Sequence, residues 1–410
     1  MNAPVFSPCA SRAAVARELS VFLIAGEPSG DALGAGLMRA LARRVGRVRF
    51  SGVGGAAMEA AGLTSLLALS EISVMGVLPV LRRLPQLVAA IGKVARAVIA
   101  AQPDILVIID SPDFTHRVAR RVRRARPNLP IVNYVGPSVW AWRPGRARRM
   151  RFYIDHVLAL LSFEPAEYER LGGPDCTYIG HPLIEQIAAL RPSADELQLR
   201  EMGPSTLLVM PGSRESEIRR LMPIFGRVVE HMNEAHPLQF VTPTLPHLEH
   251  VVRAEARSWA VEPRIISATS DKYAAMRRAR AALVASGSAT LELALAGVPM
   301  VVAYRVSLIE ELVARLMLRI DKIALPNLIL GKHAVPERVQ GDCSAGHLAE
   351  ALRPLLADGV ERAAQLAAFE ELVVLMKVDA RQPPSDNAAE SIERIALKRV
   401  VPSARKAHRS

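Results

Sequence analysis

The sequence predicts an α/β protein of two successive halves, each a mostly parallel sheet covered by helices. Three observations carry this. Short apolar runs alternate with helical stretches along most of the chain, as where residues 21–25 (VFLIA) precede ALGAGLMRALARR. Such alternation implies parallel strands joined by helical crossovers. The pattern restarts at residues 206–210 (TLLVM), after a polar, poorly periodic stretch at 191–204 that reads as a linker. In each half, strands run directly into Gly- and Ser-containing turns that open helices: GEPSGD at 26–31, PGSR at 211–214 and SGS at 286–288. Two facing α/β domains with a cleft between them describe many nucleotide-sugar transferases, although fold alone does not fix function.

Composition narrows the function classes. The chain has 410 residues, half of them apolar and 22% charged, which suits a globular protein of two or three domains. Aromatics are 4%, which argues against base-stacking nucleic-acid platforms. A formal net charge of +12 suits anionic lipid, phosphorylated small molecules or nucleic acid. Cys9, Cys176 and Cys343 are too few and too far apart for a disulfide framework or a metal-ligand set. A reducing cytosol fits them, and neither metal nor cofactor is expected. The first 18 residues read as an extension, and the run 21–25 is too short for a signal-peptide core. No run of about 18 uncharged apolar residues appears, so any membrane contact is expected to be peripheral.

In the first half, residues 21–25 form a buried strand and GEPSGD opens a helix that Ser29 or Asp31 is placed to cap. The G-x-x-x-G spacing is not a dinucleotide fingerprint, and no Walker lysine follows. Residues 48–53 form a second strand ending in GVGG. The stretch 74–100 is rich in Val and Leu, carries Arg82, Arg83, Lys93 and Arg96, and contains no acid. Residues 74–84 fit either an anionic membrane surface or a core; 87–100 fit core packing better. Residues 103–109 (PDILVII) form a strand that delivers Asp110 to its carboxyl end, where ligands sit in open α/β sheets. A carboxylate there can accept a proton from an attacking hydroxyl. Its other role is a helix N-cap, which Asp113 fits better. Arg117, Arg120, Arg121 and Arg124 share one helical face. A strand at 131–135 runs into GPSVWAWRPGRARRMR, where Trp140 and Trp142 stand beside several arginines, a combination suited to lipid or substrate. After a strand at 157–161, YIGHPL closes this half.

In the second half, Arg214 sits in a Gly/Ser turn at a helix start, placed for a diphosphate or for a surface ion pair. Strands at 240–243 and 264–267 follow. Residues 281–285 (AALVA) then form a buried strand, Ser286-Gly287-Ser288 a tight turn, 289–296 a helix stopped by Gly297 and Pro299, and 299–304 the next strand. Backbone N–H groups at such a helix start make an anion site suited to phosphate. Glu292, one turn in, can accept from two neighbouring sugar hydroxyls; the alternative is an ordinary strand–helix–strand unit with a solvated Glu. LPNL at 325–328 reads as a turn that presents Asn327 to a sugar or base. From about residue 346 the chain is helical, and its last residues are basic.

These pieces together resemble the lipid-A-disaccharide synthase family. The matching segments are AGEPSGDALGAGLMRAL, VMGVLPVL, IDSPDF, YVGPSVWAWR, GHPL, PGSRESEI, ASGSATLELAL, GVPMVVAYR and LPNL, in this order from about residue 20 to 375. Each is weak alone; the order and spacing are specific. The chain departs from the pattern at Glu215-Ser216, where a small residue is common, while Arg214 and Glu217 match.

The resemblance implies two Rossmann-like domains of the GT-B type with a central inter-domain cleft: 19–190 on the acceptor and membrane side and 191–367 for the UDP-sugar. Helices at 368–398 would pack back on the first domain, flanked overall by an extension at 1–18 and a basic tail at 399–410. It implies an inverting glycosyltransferase that joins UDP-2,3-diacylglucosamine to 2,3-diacylglucosamine 1-phosphate (lipid X), giving the β-1,6 disaccharide 1-phosphate and UDP. Asp110 would be the general base. Arg214, Ser286, Gly287, Ser288, Glu292 and Asn327 would bind UDP, and Ser29, Gly30 and Asp31 would lie at the acceptor. Val74, Met75, Val77, Leu78, Val80 and Leu81 would contact the anionic inner-membrane surface from its cytoplasmic face. No nucleic-acid partner is implied. The alternative is another GT-B enzyme of a UDP-amino sugar, a lipid II-type transferase or a 2-epimerase. A non-enzymatic binder of membrane or RNA would leave the ordered turns unexplained.

Overall fold

The computed structural model describes residues 18–72, 84–202, 204–235, 238–307, 311, 321–378 and 382–398. Two six-stranded parallel sheets organise them. The first has the order β2-β1-β3-β4-β5-β6, with β1 at Leu19–Ala25, β2 at Val48–Val53, β3 at Ile105–Ile109, β4 at Ile131–Tyr134, β5 at His156–Ala159 and β6 at Asp175–Tyr178. The second has the order β12-β11-β10-β7-β8-β9, with β7 at Thr206–Met210, β8 at Gln239–Pro243, β9 at Arg264–Ile266, β10 at Ala279–Ala285, β11 at Met300–Tyr304 and β12 at Glu337–Val339. The described residues form two compact units, one taking those up to Tyr134, Tyr153–Asp155 and those from Ala388, the other Val135–Phe152 and His156–Asn387.

The apolar runs that marked strands in the sequence are strands buried on both faces. Every residue of β1, β3, β7 and β10 is buried, as expected where helices cover both sides of a parallel sheet. In the second sheet alternate residues divide between two cores. Leu208, Met210, Ala282, Val284, Met300 and Val302 pack on one face; Leu207, Val209, Ala281, Leu283, Val301 and Ala303 pack on the other.

Three segments differ from the sequence expectation. The supposed linker contains a helix, Ala194–Met202. Its weak periodicity has a cause: it buries a charge, Arg200, rather than an apolar stripe. Nε donates to the Arg277 carbonyl at 3.1 Å, Nη1 to Gly297 at 2.8 Å, and Nη2 to Met276 at 3.0 Å and Ala296 at 3.1 Å. One guanidinium thus satisfies carbonyls at the C-terminal ends of the helices Thr269–Arg278 and Ala289–Leu295. LPNL is the start of a helix, Leu325–Leu330, and not a turn. The helix Pro112–Ala125 has Ser111 at its N-cap position, so Asp113 is not the cap.

The helix Leu84–Ala101 is long and apolar enough, by length and composition, to cross a membrane. Ile91, Val94, Ala95 and Val98 are buried on one side of it, and Arg121 Nη1 donates to the Val88 carbonyl at 3.4 Å from the helix Pro112–Ala125. Leu84 and Val88 stay exposed at its start. The expected membrane contacts Val74, Met75, Val77, Leu78, Val80 and Leu81 lie outside the described residues. The closing helix, Pro384–Lys398, places Glu390 and Glu393 against Arg44 of the helix Pro28–Val45.

Candidate functional site

Sheet order creates the pocket in the second unit. β7 and β10 are adjacent, so the turn and helix start after one lie beside the turn and helix start after the other. Together with the end of β8 they enclose a pocket of about 370 Å³. Its wall includes Gly212, Ser213 and Arg214 from the first turn, Ser286, Gly287 and Ser288 from the second with Glu292 from the helix it opens, and Pro243 at the end of β8 with the next two residues, Thr244 and Leu245. This is the carboxyl edge of a parallel sheet, where such folds bind ligands.

Each wall is built for its shape. Gly212 has φ +116°, and a Cβ there would lie 2.6 Å from Glu217 Oε2, so the turn requires glycine. Glu217 holds that turn: Oε2 accepts from the Ser213 N–H at 3.2 Å and Oε1 from Arg214 Nη1 at 2.7 Å. The Arg214 side chain remains 65% exposed, so its charge is available at the pocket mouth. Ser286 Oγ donates to the Ile323 carbonyl at 2.9 Å and braces the second turn. Glu292 is 12% exposed, and both its oxygens accept from Lys272 Nζ, at 2.8 and 3.0 Å. The sequence reading missed Lys272. Its only signal is a basic residue one turn into the helix Thr269–Arg278, which nothing local distinguishes from a solvated lysine.

Asn327 is not with these residues. It is fully buried, Nδ2 donates to the Val335 carbonyl and to Glu337 Oε1, and Oδ1 accepts from the N–H groups of Ala334 and Val335. These bonds engage both ends of its amide in holding the chain from 334 to 337.

In the first unit, β3 ends at Ile109 and the next two residues leave the ordinary backbone regions. Asp110 has φ +52° and Ser111 φ +45°. Left-handed backbone at consecutive non-glycine residues costs of order 1–3 kcal/mol each and gathers at functional sites. Asp110 is half-buried. Its N–H donates to the Tyr134 carbonyl at 3.3 Å, its carbonyl accepts from Thr115 Oγ1 at 2.8 Å, and Oδ1 accepts from the Ser111 N–H at 2.8 Å. Ser29 Oγ approaches Oδ2 at 3.4 Å, so the GEPSGD turn and the Asp110 corner are neighbours.

The other two residues of that turn have structural roles. Gly30 is buried against the carbonyl of Ile109. Asp31 is 7% exposed. Oδ1 accepts from the N–H groups of Gly55 and Met58, and Oδ2 from that of Ala57, so it caps the helix Ala56–Ala60.

The Trp-containing loop is pinned from beneath. Trp140 Nε1 donates to Glu164 Oε1 at 3.2 Å, and its ring meets Phe163 edge-on at 4.9 Å. Burial pushes the Glu164 carboxyl up to about 7, against the opposing effect of the Leu161 and Trp140 donors. Burial also pushes the Cys176 thiol up, with Glu164 adding to the effect, and pulls His181 down to about 4. Trp142 is 38% exposed with the Arg143 guanidinium 4.4 Å from its ring centre. Among the described residues no group of three His, Cys, Asp or Glu is placed to hold a metal ion.

Comparison with known proteins identifies the family and the fold. The profile of the lipid-A-disaccharide synthetase family matches residues 21–390. A lipid-A-disaccharide synthase of Nitrobacter winogradskyi is 53% identical over 374 residues, 91% of this chain and 94% of the relative. One from Bradyrhizobium diazoefficiens is 50% identical over 365 residues, covering 88% and 93%. Solved structures share the fold at low identity. A putative UDP-N-acetylglucosamine 2-epimerase of Listeria monocytogenes aligns with a TM-score of 0.60 and 14% identity over 94% of this chain and 97% of its own. The UDP-GlcNAc 2-epimerase of Neisseria meningitidis, bound to UDP-GlcNAc, aligns with a TM-score of 0.60 and 12% identity over 93% and 100%. With two parallel α/β sheets, the ordered turns and this identity across nearly its whole length, the chain belongs to the lipid-A-disaccharide synthase family of glycosyltransferases.

Proposed function

We propose that this protein condenses UDP-2,3-diacylglucosamine with 2,3-diacylglucosamine 1-phosphate in a single inverting displacement. The 6-hydroxyl of the acceptor attacks the anomeric carbon of the donor. The new C–O bond forms as the bond to the diphosphate breaks, the hydroxyl proton passes to Asp110, and UDP leaves. General-base help of this kind is commonly worth about 10²–10⁴ in rate. No carboxylate nucleophile is required for inversion, by analogy with glycosidases.

The observation that carries the donor assignment is the pocket where two helix starts, Arg214 and Glu292 meet. In this reading Arg214 and the backbone N–H groups around Gly287 and Ser288 balance the charge of the departing diphosphate, and Glu292, held by Lys272, accepts from the ribose hydroxyls. Ser29, beside Asp110, contacts the acceptor. The protein works peripherally on the anionic cytoplasmic face of the inner membrane. Exposed Leu84 and Val88, with exposed Lys93, Arg96 and Arg121, support that placement through residues adjoining 74–81.

The test is product formation by purified protein in detergent with both lipid substrates, with and without EDTA. Disaccharide 1-phosphate and UDP that are insensitive to EDTA support the whole reading. Loss of activity in EDTA would overturn the leaving-group assignment and leave the reaction standing. No product from folded, UDP-binding protein would overturn the substrates. Asp110→Asn should retain UDP binding and lose about 10²–10⁴ in turnover; wild-type turnover would remove Asp110 as the base.

A further inference from the structure

Behind Asp110 runs a series of buried polar groups with no role in the chemistry just described. His116, on the helix Pro112–Ala125, and Asn133, on β4, are each 1% exposed, and Tyr153 is buried beside them. His116 Nε2 lies 2.9 Å from Asn133 Oδ1, and Nδ1 lies 3.1 Å from the Tyr153 hydroxyl. Arg120 Nη2 donates to that hydroxyl oxygen at 3.1 Å, with its guanidinium 4.6 Å from the ring centre. Asn133 Nδ2 donates to the Tyr134 carbonyl at 3.3 Å. That carbonyl is the one that accepts the Asp110 N–H.

The chemistry of each group orders the protons. Asn133 donates through Nδ2 to a carbonyl, so its Oδ1 is the atom facing His116, and a carbonyl oxygen only accepts. In the neutral imidazole the proton then sits on Nε2, facing Asn133 Oδ1. Nδ1 is then an acceptor, and the Tyr153 hydroxyl donates to it while receiving the Arg120 N–H. In that form these four bonds point the same way: Arg120 to Tyr153 to His116 to Asn133 to the Tyr134 carbonyl.

We propose that this directed chain is a positioning device for Asp110, with Tyr153 and His116 as positioning residues. It acts at one atom, the Tyr134 carbonyl; Tyr134 is the last residue of β4 and stands in register with Ile109, the last residue of β3. Two consecutive left-handed residues persist only where their surroundings over-determine them. Asp110 is held from one side by Tyr134 and from the other by Thr115, the residue next to His116 on the same helix. The chain ties the strand to the helix at that level, so the carboxylate is set from both elements at once. This inference rests on Asp110 being the base.

The decisive variant is Tyr153→Phe, which keeps the ring beneath Arg120 and against His116 and deletes only the hydroxyl. We expect turnover to fall about tenfold, as for a small displacement of a catalytic group, with KM for the UDP-sugar unchanged and a modest fall in melting temperature from the unpaired His116 Nδ1. Nitrogen-15 shifts of the His116 ring in the unmutated protein should report the Nε2–H tautomer, a measurement independent of whether any variant folds. A folded Tyr153→Phe with wild-type turnover, or an Nδ1–H tautomer at His116, overturns the proposal. Asp110→Asn keeps the two claims separate. If it turns over as wild type, the base assignment fails and the positioning role falls with it. If it is inactive while Tyr153→Phe is fully active, the base stands and the positioning role fails.

Discussion

Ser111 occupies the space that a side chain on Gly26 would need. A Cβ built on Gly26 falls 2.3 Å from Ser111 Cβ and 2.5 Å from its Oγ. The two residues belong to motifs far apart in sequence, GEPSGD after β1 and DSPDF after β3, and β1 and β3 are neighbouring parallel strands. The glycine is needed to make room for the left-handed corner that carries Asp110.

Gly26→Ala should therefore impair catalysis while leaving UDP binding alone. The methyl group pushes on Ser111, which is backbone-bonded to Asp110 Oδ1 and cannot move independently of it. We expect at least about a tenfold loss of turnover from the displaced carboxylate, with UDP affinity by calorimetry unchanged. Wild-type turnover would show that the corner has room to shift.

Arg214→Ala should weaken UDP binding by about tenfold, the scale of one charge-assisted hydrogen bond. The melting temperature should barely move, because the Arg214–Glu217 pair is exposed and such pairs contribute little. Lys272→Met should differ. It leaves Glu292, 12% exposed, without its cation, so both UDP affinity and stability should fall. Equal effects of the two variants on stability would contradict this division.

Glu164→Gln should change the pH dependence of stability. The carboxyl is raised from 4.5 to about 7 on folding. Between those values the folded protein binds more protons at this site than the unfolded chain, so this site's contribution declines as pH rises through that window. The shift corresponds to about 3 kcal/mol. The melting temperature of the variant relative to wild type should rise from pH 5 to pH 8 and then level off. A difference that is flat with pH would remove Glu164 as a titrating group. His181, lowered to about 4 from 6.5, acts oppositely between those values, and since it is present in both proteins it cancels from the comparison.

Arg200→Ala should destabilise the second unit by about 2–4 kcal/mol, since it strips buried carbonyls at two helix ends of their donor. The same two helices carry Lys272 and Glu292, so UDP affinity should fall in parallel. Thermal denaturation with and without UDP measures both. An unchanged melting temperature would mean that water replaces the guanidinium.

Much of this protein is determined by its sequence alone. Unbroken apolar runs such as ILVII and AALVA can be satisfied only by strands buried on both faces, and the Gly/Ser turns after them place helix starts at the carboxyl edge. That is enough to predict two parallel α/β sheets, to single out Asp110, Arg214 and Glu292, and to see the family in the order of the motifs. Tertiary structure decided what each polar side chain near those turns is for. Asp31 and Asp110 both follow buried strands, yet one is consumed by three N–H groups of a helix start and the other stays half-exposed on a strained corner. Lys272, Arg200 and His116 carry no local signal that separates them from ordinary polar residues, because their partners lie on other elements and reach them only when the sheets assemble. A hydrogen bond depends on where its second atom is, and that position belongs to the fold, whereas the period of an apolar run belongs to the sequence.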